Sequence, residues 1–364
     1  MCHHDKKQPN PKQRHGSAIE HGQAHQRDHQ EWSRRTFLRQ MGIAGTASFL
    51  LGKMPITALA SSRLALALNN NNNDRILILI RLKGGNDGLN MIIPVFDYGA
   101  YQANRPTIAI PQNEVISLSD ELGMPNSMQP LDALWQEGQM KVVNNVGYPD
   151  HNLSHFRSTD IWSSASDSNV VDDSGWLGRT LEQEYPDFLN NPPTDPPAIQ
   201  IGSAGNITFV NSDELNMALM VANPEQLYDI AQTGQLYDPN AVPTCYYGEQ
   251  LHYLRVVANN TFRYAEVVAQ AYENGTNSVE HQNFGIGDQL ALVARLIRGG
   301  LGTRLYMVTH DGFDTHANQS NQHPLLMNYL AQALNDFYAD LEEGGHDSRV
   351  LSMTFSEFGR RPEQ

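Results

Sequence analysis

The chain has 364 residues, and its 40 acidic side chains outnumber its 25 Lys and Arg residues, giving a formal net charge of −15. An acidic surface of this kind argues against nucleic acids and anionic lipids as partners, because both require clustered basic residues. Only Cys2 and Cys245 are present, too few for an internal disulfide framework.

The first 60 residues have the pattern of an export signal. Ser33–Arg39 contains the pair Arg34-Arg35, an apolar stretch follows from Met41 to Leu51, and Ala58-Leu59-Ala60 has the small-x-small pattern of a cleavage site. This order predicts a twin-arginine signal peptide over 1–60 with a long polar, His-rich leader. A short membrane anchor is the alternative, although the apolar stretch falls below the roughly 20 residues that span a bilayer. We therefore expect a periplasmic or extracellular protein without a stable membrane span.

An asparagine-rich spacer is predicted over 61–74, because five consecutive asparagines end it. The Ile-rich run 75–82 then predicts a strand buried on both faces of a parallel sheet. Further inner strands are predicted over 140–146 and 198–201. Residues 163–196 are rich in Ser, Asp, Asn and Pro and are interpreted mostly as surface loops.

The C-terminal half alternates between helical and strand patterns. Helices are predicted over 248–273, as one helix or as two with a break near Asn259-Asn260, and over 289–298 and 324–341. Strands are predicted over 303–309 and 349–355. This alternation indicates an α/β fold, a mostly parallel central sheet flanked by helices, formed by a single domain over 75–364.

Acidic residues and a histidine follow three of the predicted strands. Asp87, Asp314, His316 and Glu357 would therefore meet at the carboxyl edge of the sheet, where open parallel sheets bind ligands. Clustered carboxylates require a cation. Oxygen ligands with an imidazole suit zinc, manganese or iron(II), and oxygen ligands alone suit magnesium or calcium. The alternative is that these acids form turns or cap helices.

A fourth loop, residues 147–158, should open onto the same edge. Ser154 is a candidate nucleophile, because a hydroxyl near a metal or a base can be deprotonated. His151 and His155 are candidate ligands or bases, and Arg157 could hold an anionic group. The alternative is that Ser154 caps a helix.

Six motifs in order resemble a bacterial family, domain of unknown function 1501. The segments that carry the resemblance are Arg81–Asn90, Val146–Pro149, Ser154–Ser158, Gly175–Arg179, Gly312–His316 and Thr354–Arg360. The family is similar to the alkaline phosphatase and sulfatase superfamily, which implies a strand-end metal site and a hydroxyl or thiol-derived nucleophile. The resemblance implies that Asp87, Asp314, His316 and Glu357 bind metal and, more weakly, that Ser154 is the nucleophile.

The sequence departs from that family at its last residues. Where the family continues to an Asp-His-Gly motif, this sequence ends at Gln364. We therefore expect either a fragment that lacks C-terminal strands or a protein that has lost a metal ligand. The resulting hypothesis is an exported, metal-dependent hydrolase of phosphate or sulfate esters, acting on an anionic small molecule or polymer. The alternative is a non-catalytic exported binding protein, or an inactive fragment with a vestigial metal site.

Overall fold

A computed structural model describes residues 48–51, 54–57, 74–202, 206–221, 234, 236–244, 246–316 and 318–363. The twin-arginine motif Ser33–Arg39, the Ala58–Ala60 cleavage pattern and the asparagine run Asn69–Asn73 lie outside the described residues. None of the helices within the described residues is both long enough and apolar enough to cross a membrane.

A five-stranded parallel sheet forms the centre of the fold, with the strand order β10-β3-β9-β7-β8. A hairpin pairs β1 with β2, and β4, β6 and β5 form a small antiparallel sheet. The strands are β1 Ser48–Leu51, β2 Met54–Thr57, β3 Ile76–Lys83, β4 Ile93–Pro94, β5 Val115–Ser117, β6 Leu122–Pro125, β7 Ala198–Ile201, β8 Ala218–Val221, β9 Leu305–Asp311 and β10 Val350–Phe355.

Helices flank this sheet, so the predicted α/β class is confirmed. The helices are α1 Gly88–Met91, α2 Tyr98–Asn104, α3 Asp132–Gln136, α4 His155–Ser164, α5 Trp176–Glu184, α6 Tyr246–Asn274, α7 Gly285–Arg298 and α8 Gln319–Glu343. The compact unit that contains the sheet consists of Asn72–Asp238 and Arg255–Gln364, and the β1–β2 hairpin and Pro239–Leu254 belong to a second unit. A single domain over 75–364 stays a prediction.

Strand β3 lies at the heart of the sheet because its sequence can be buried on both faces. Ile76, Ile78 and Ile80 on one face and Leu77 and Leu79 on the other are buried, and the strand pairs in parallel with β10 on one side and β9 on the other. An apolar run without alternation is what a strand covered on both faces requires. The predicted strand over 75–82 is confirmed, with both of its limits shifted by one residue.

The register of β3 with β10 shows which helices cover which face. Ser352 pairs with Ile78 and bonds to Tyr338 of α8 at 3.0 Å, whereas Arg81 bonds to Thr159 of α4 at 2.9 Å. Residues 78 and 81 point to opposite faces, because side chains alternate along a strand. Helices α4 and α8 therefore lie on opposite sides of the sheet.

One expectation about the chain between β6 and β7 is wrong. Residues 140–146 form no strand: Asn145 has a left-handed φ of 59°, which interrupts the extended backbone, and Val143 and Val146 are exposed.

The region 163–196 consists mostly of loops, as predicted, but it also contains helix α5. In α5, Leu177 and Leu181 lie one turn apart and are both buried, which stabilises a helix within a polar composition.

Helix α6 passes through Asn259 and Asn260 without a break. Both side-chain amides have partners outside the helix: Asn259 bonds to the backbone N–H and C=O of Tyr237 at 2.8 Å each, and Asn260 donates to the carbonyl of Leu189 at 3.0 Å. Because these amides do not compete with the helix for its own backbone groups, the residues that suggested a break instead attach neighbouring loops.

Candidate metal centre

The loops that follow β3, β9 and β10 meet at one edge of the sheet. The N–H of Phe313 donates to the carbonyl of Lys83 at 3.0 Å, and the N–H of Gly84 donates to Oε1 of Glu357 at 2.8 Å. These bonds join segments that lie more than 200 residues apart in sequence. The expectation that parallel strands deliver these loops to a common edge is confirmed.

Two glycines allow these loops to lie this close to each other. Gly84 has φ of +120°, and a Cβ there would lie 2.3 Å from the backbone nitrogen of Asp314. Gly85 has φ of +79°, and a Cβ there would lie 2.3 Å from the ring of Phe358. A side chain at either position would push the loops apart, because a positive φ favours glycine and because a Cβ atom would overlap the neighbouring atoms.

Three potential ligands converge at this edge: His155 from α4 and Asp314 and His316 from the loop after β9. One nitrogen or oxygen atom of each lies within 4.8 Å of those of the other two. Nε2 of His316 is 2.7 Å from Oδ1 of Asp314, and Nε2 of His155 is 3.5 Å from the same oxygen. The side chains are 35%, 46% and 72% exposed for His155, Asp314 and His316, so solvent reaches the cluster.

Glu357 orients one of these histidines. Its carboxylate is 2% exposed, and Oε1 lies 3.0 Å from Nδ1 of His155 while also accepting the N–H of Gly84. The ring of Phe358 lies against the imidazole, with 4.8 Å between ring centroids. A carboxylate acceptor at Nδ1 leaves the Nε2 lone pair free, the arrangement typical of a metal-ligating histidine.

Arg360 supplies a positive charge beside the cluster. Its Nη2 lies 2.8 Å from Oδ1 of Asp314 and also donates to the carbonyls of Gly84 and Phe313, and its Nε donates to Gly85. Partial burial alone would raise the pKa of Asp314, but the hydrogen bond from Arg360 and the nearby histidines bring that pKa below its usual value. Asp314 is therefore a carboxylate at neutral pH.

The donor set fits a divalent transition metal. Two imidazoles and one carboxylate are the ligands of zinc and its neighbours in the first transition row, whereas calcium and magnesium prefer oxygen alone. The spacing also fits, since ligands bonded at about 2 Å to one ion lie about 3–4 Å from each other, close to the observed limit of 4.8 Å. His155, Asp314 and His316 are therefore one candidate metal-binding triad.

Asp87 lies apart from this triad. It caps helix α1 by accepting the N–H of Asn90 at 3.3 Å, as the alternative interpretation predicted. Both of its oxygens also lie 2.9 Å from Nη1 of Arg105, and Oδ2 accepts the amide of Gln319. A ligand role for Asp87 stays a prediction, as does direct ligation by Glu357.

The loop before α4 brings Ser154 next to a ligand in sequence. Ser154 is exposed at the N-terminus of α4, and its hydroxyl makes no capping bond. His151 is exposed and outside the triad. Arg157 points to a different segment, where its Nη2 donates to the carbonyls of Ser168 and Val170.

Sequence reasoning missed two arginines at this edge. Arg360 stood in a recognised motif, directly after a strand-end loop, so its position was a usable signal. Arg105 lies in a stretch with no strand pattern and is 1% exposed in the structure, and nothing in its neighbourhood pointed to burial.

The comparisons with known proteins give one match. Residues 135–364 match the family described as Protein of unknown function (DUF1501), a range that includes all three residues of the triad together with Glu357 and Arg360. No curated protein and no solved structure matches the chain.

Proposed function

This chain belongs to the family Protein of unknown function (DUF1501), and we propose that it binds a divalent transition metal at His155, Asp314 and His316 and hydrolyses an anionic ester. The observation that supports this most directly is the meeting of three ligand atoms from two distant segments within 4.8 Å, next to a buried carboxylate that orients one of them. We further propose that the fold is of the alkaline phosphatase type.

Three protein ligands with solvent access suit a catalytic metal better than a structural one. Structural zinc sites are closed by four protein ligands, whereas catalytic sites keep a position for water or substrate. When bound, a metal of this kind lowers the pKa of a hydroxyl or water and offsets negative charge on the ester. Two exposed members of the triad leave such a position open.

The residues around the triad have distinct proposed roles. Ser154 precedes the ligand His155 and is exposed, which supports its role as the nucleophile. The substrate anion would contact Arg360 rather than Arg157, because Arg360 lies beside Asp314 of the triad, while Arg157 is bonded to the carbonyls of Ser168 and Val170 in a different segment. A guanidinium fork matches a phosphate or sulfate group in geometry and charge.

We also propose that the protein works outside the cytoplasm after twin-arginine export. The order of Arg34-Arg35, the apolar stretch and Ala58–Ala60 supports this. Because an acidic surface repels anions, the bound metal and Arg360 would have to supply the positive charge that attracts an anionic substrate.

A second candidate is a binding protein without catalysis, in which the cluster is a metal-free charge network. One observation favours it: Oδ1 of Asp314 already has two partners, Arg360 at 2.8 Å and His316 at 2.7 Å. In that case the cluster would tie the loops together, and Arg360 would take the place of the metal.

Metal analysis of the purified full chain separates the two candidates. We expect about one zinc or manganese ion per chain and hydrolysis of aryl phosphate or aryl sulfate esters. His316→Ala should lose more metal affinity than the about 10–100-fold that follows loss of an outer-shell partner. His346→Ala removes a histidine beyond α8 and serves as the control. Absence of bound metal, with His316→Ala indistinguishable from the control, would rule out the metal centre.

A further inference from the structure

We infer that the buried Asp87–Arg105 pair positions the loops that form the metal centre. The two side chains are 2% and 1% exposed, and Nη1 of Arg105 lies 2.9 Å from each oxygen of Asp87. Its Nη2 lies 2.9 Å from Oδ2, so the carboxylate is held by both ends of the guanidinium. The inference rests on the proposed metal binding and assigns a role to residues outside the triad.

Three separate segments are joined through this pair. Asp87 belongs to the loop after β3, and its Oδ2 accepts the amide of Gln319, the first residue of α8, which follows His316 by three positions. Arg105 donates from Nε and Nη2 to the carbonyls of Pro362 and Arg361, at 3.2 Å each. One ion pair therefore contacts a side chain at the start of α8, three residues after His316, and the backbone just after Arg360.

The guanidinium of Arg105 also donates to a neighbouring amide. Oδ1 of Asn90 accepts from Nη1 at 2.8 Å and from the hydroxyl of Tyr101 at 2.7 Å. Compared with apolar residues of the same volume, a buried ion pair adds little net stability. When all of its polar atoms form hydrogen bonds, however, the pair permits only one arrangement of its side chains. We therefore attribute to this pair the fixing of loop geometry rather than a large share of the stability.

Breaking this ion pair should weaken metal binding, since a metal ion accepts only a narrow range of ligand positions. If Gln319 and the Arg361–Pro362 backbone lose their attachment, Asp314 and His316 can drift relative to His155, which α4 and Glu357 hold. Loss of a supporting partner typically weakens metal binding by about 10–100-fold. Asp87 and Arg105, which lie outside the triad, thus act as positioning residues.

Cobalt(II) binding by the full chain tests this, because the visible absorption of bound cobalt reports its coordination geometry. Asp87→Asn/Arg105→Gln exchanges the ion pair for neutral groups that can still form hydrogen bonds, which avoids a buried unpaired charge. We expect its cobalt affinity to fall by about 10–100-fold, with an altered visible spectrum. Gln319→Ala, which leaves the pair intact, should show a smaller loss and a spectral change of the same kind.

The matched control is Arg304→Gln. Arg304 also forms a partly buried ion pair, with Glu184, but it precedes β9 and so lies at the opposite edge of the sheet from the metal centre. Its loss should lower the melting temperature and leave the cobalt spectrum and affinity unchanged.

Each other outcome has a definite meaning. If the Asp87→Asn/Arg105→Gln variant and Gln319→Ala both bind cobalt like the wild type, the positioning role is wrong and the proposed metal centre stands. If affinity follows the melting temperature equally in all variants, including Arg304→Gln, the effect is one of general stability and the inference is again wrong. If the wild-type chain binds no cobalt, the proposed function fails and this inference fails with it.

Discussion

Two Asp–His contacts in this protein have the same chemistry and different surroundings. His316 and Asp314 approach to 2.7 Å at the carboxyl edge of the sheet, with side chains 72% and 46% exposed. His281 and Asp340 approach to 2.9 Å between the α6–α7 connection and helix α8, with side chains 7% and 0% exposed. The comparison shows that an Asp–His contact alone does not identify a functional site.

The buried carboxylate uses its bonding capacity within the protein. Asp340 accepts the N–H of Ser278 at 2.8 Å and the amide of Asn277 at 2.6 Å, and Arg298 lies 3.5 Å from it. Burial would raise the pKa of Asp340, but these bonds and the one from His281 bring it below its usual value. In contrast, Oδ2 of Asp314 has no partner within the described part of the chain, so the exposed carboxylate retains capacity for a ligand.

The largest expected effect is the loss of Asp340. Asp340→Ala leaves the amide of Asn277, the N–H of Ser278 and the ring of His281 without this acceptor and removes the negative charge beside Arg298, and we expect a loss of about 3–5 kcal/mol in the free energy of unfolding. Asp314→Ala in metal-free protein removes a partly exposed pair and should cost less than about 1 kcal/mol. Urea unfolding in the presence of a chelator measures both. Equal losses would contradict the distinction between the two pairs.

A buried histidine near the edge gives a second test, through pH. His323 is 2% exposed and bonds to Asn86 at 3.0 Å, and burial lowers its pKa to about 4, an effect that Asp87 partly opposes. The unfolded chain binds this proton at a pKa near 6.5. Folding stability is therefore greatest above pH 6.5 and decreases as the pH falls towards 4, by up to about 3 kcal/mol from this residue.

Unfolding midpoints at several pH values between 7 and 4.5 check this slope. His323→Gln should reduce it, because glutamine can donate to Asn86 without taking up a proton. His151→Gln, at an exposed histidine, is the control for the substitution itself. A slope that is unchanged in His323→Gln would show that the histidine is not held neutral, and would remove the contrast between buried and exposed histidines at this edge.

The fold could be predicted where apolar runs are bounded by glycines. Strands β3 and β7, which are buried on both faces, and helix α8, which is buried along one stripe, appear within a few residues of their predicted limits, because such burial leaves a clear pattern. Strand β10 also lies where it was predicted, although it is at the edge of the sheet and Leu351 and Met353 are exposed. Residues 140–146 have a strand-like composition and form no strand, since a local pattern cannot specify whether a neighbouring strand is available. The alternation of helix and strand predicted that β9 and β10 are parallel, but it did not predict that β3 lies between them in the sheet.

The candidate site could be predicted only in part. Asp314 and His316 were identifiable from their place after β9, and His155 from its loop. The partners of Arg105 and Arg360 were not, because the contacts that define them join residues such as Arg105 and Pro362, 257 positions apart. Long-range bonds of this kind depend on the assembled sheet, and no residue type or spacing in either segment carries that information.

The smallest expected effect comes from the exposed pair of Lys83 and Asp311. Asp311 is the last residue of β9 and precedes Asp314 by three positions. Asp311 lies 2.6 Å from Lys83, with side chains 65% and 40% exposed, and its pKa falls because the bonds from Lys83 and Gly312 outweigh partial burial.

Asp311→Ala should change the free energy of unfolding by less than about 1 kcal/mol, and less still in 1 M salt. It should leave metal affinity unchanged, measured beside Asp314→Ala. If instead Asp311→Ala abolished metal binding and Asp314→Ala did not, the two acids would have exchanged roles, and the metal would lie on the Lys83 side of the loop.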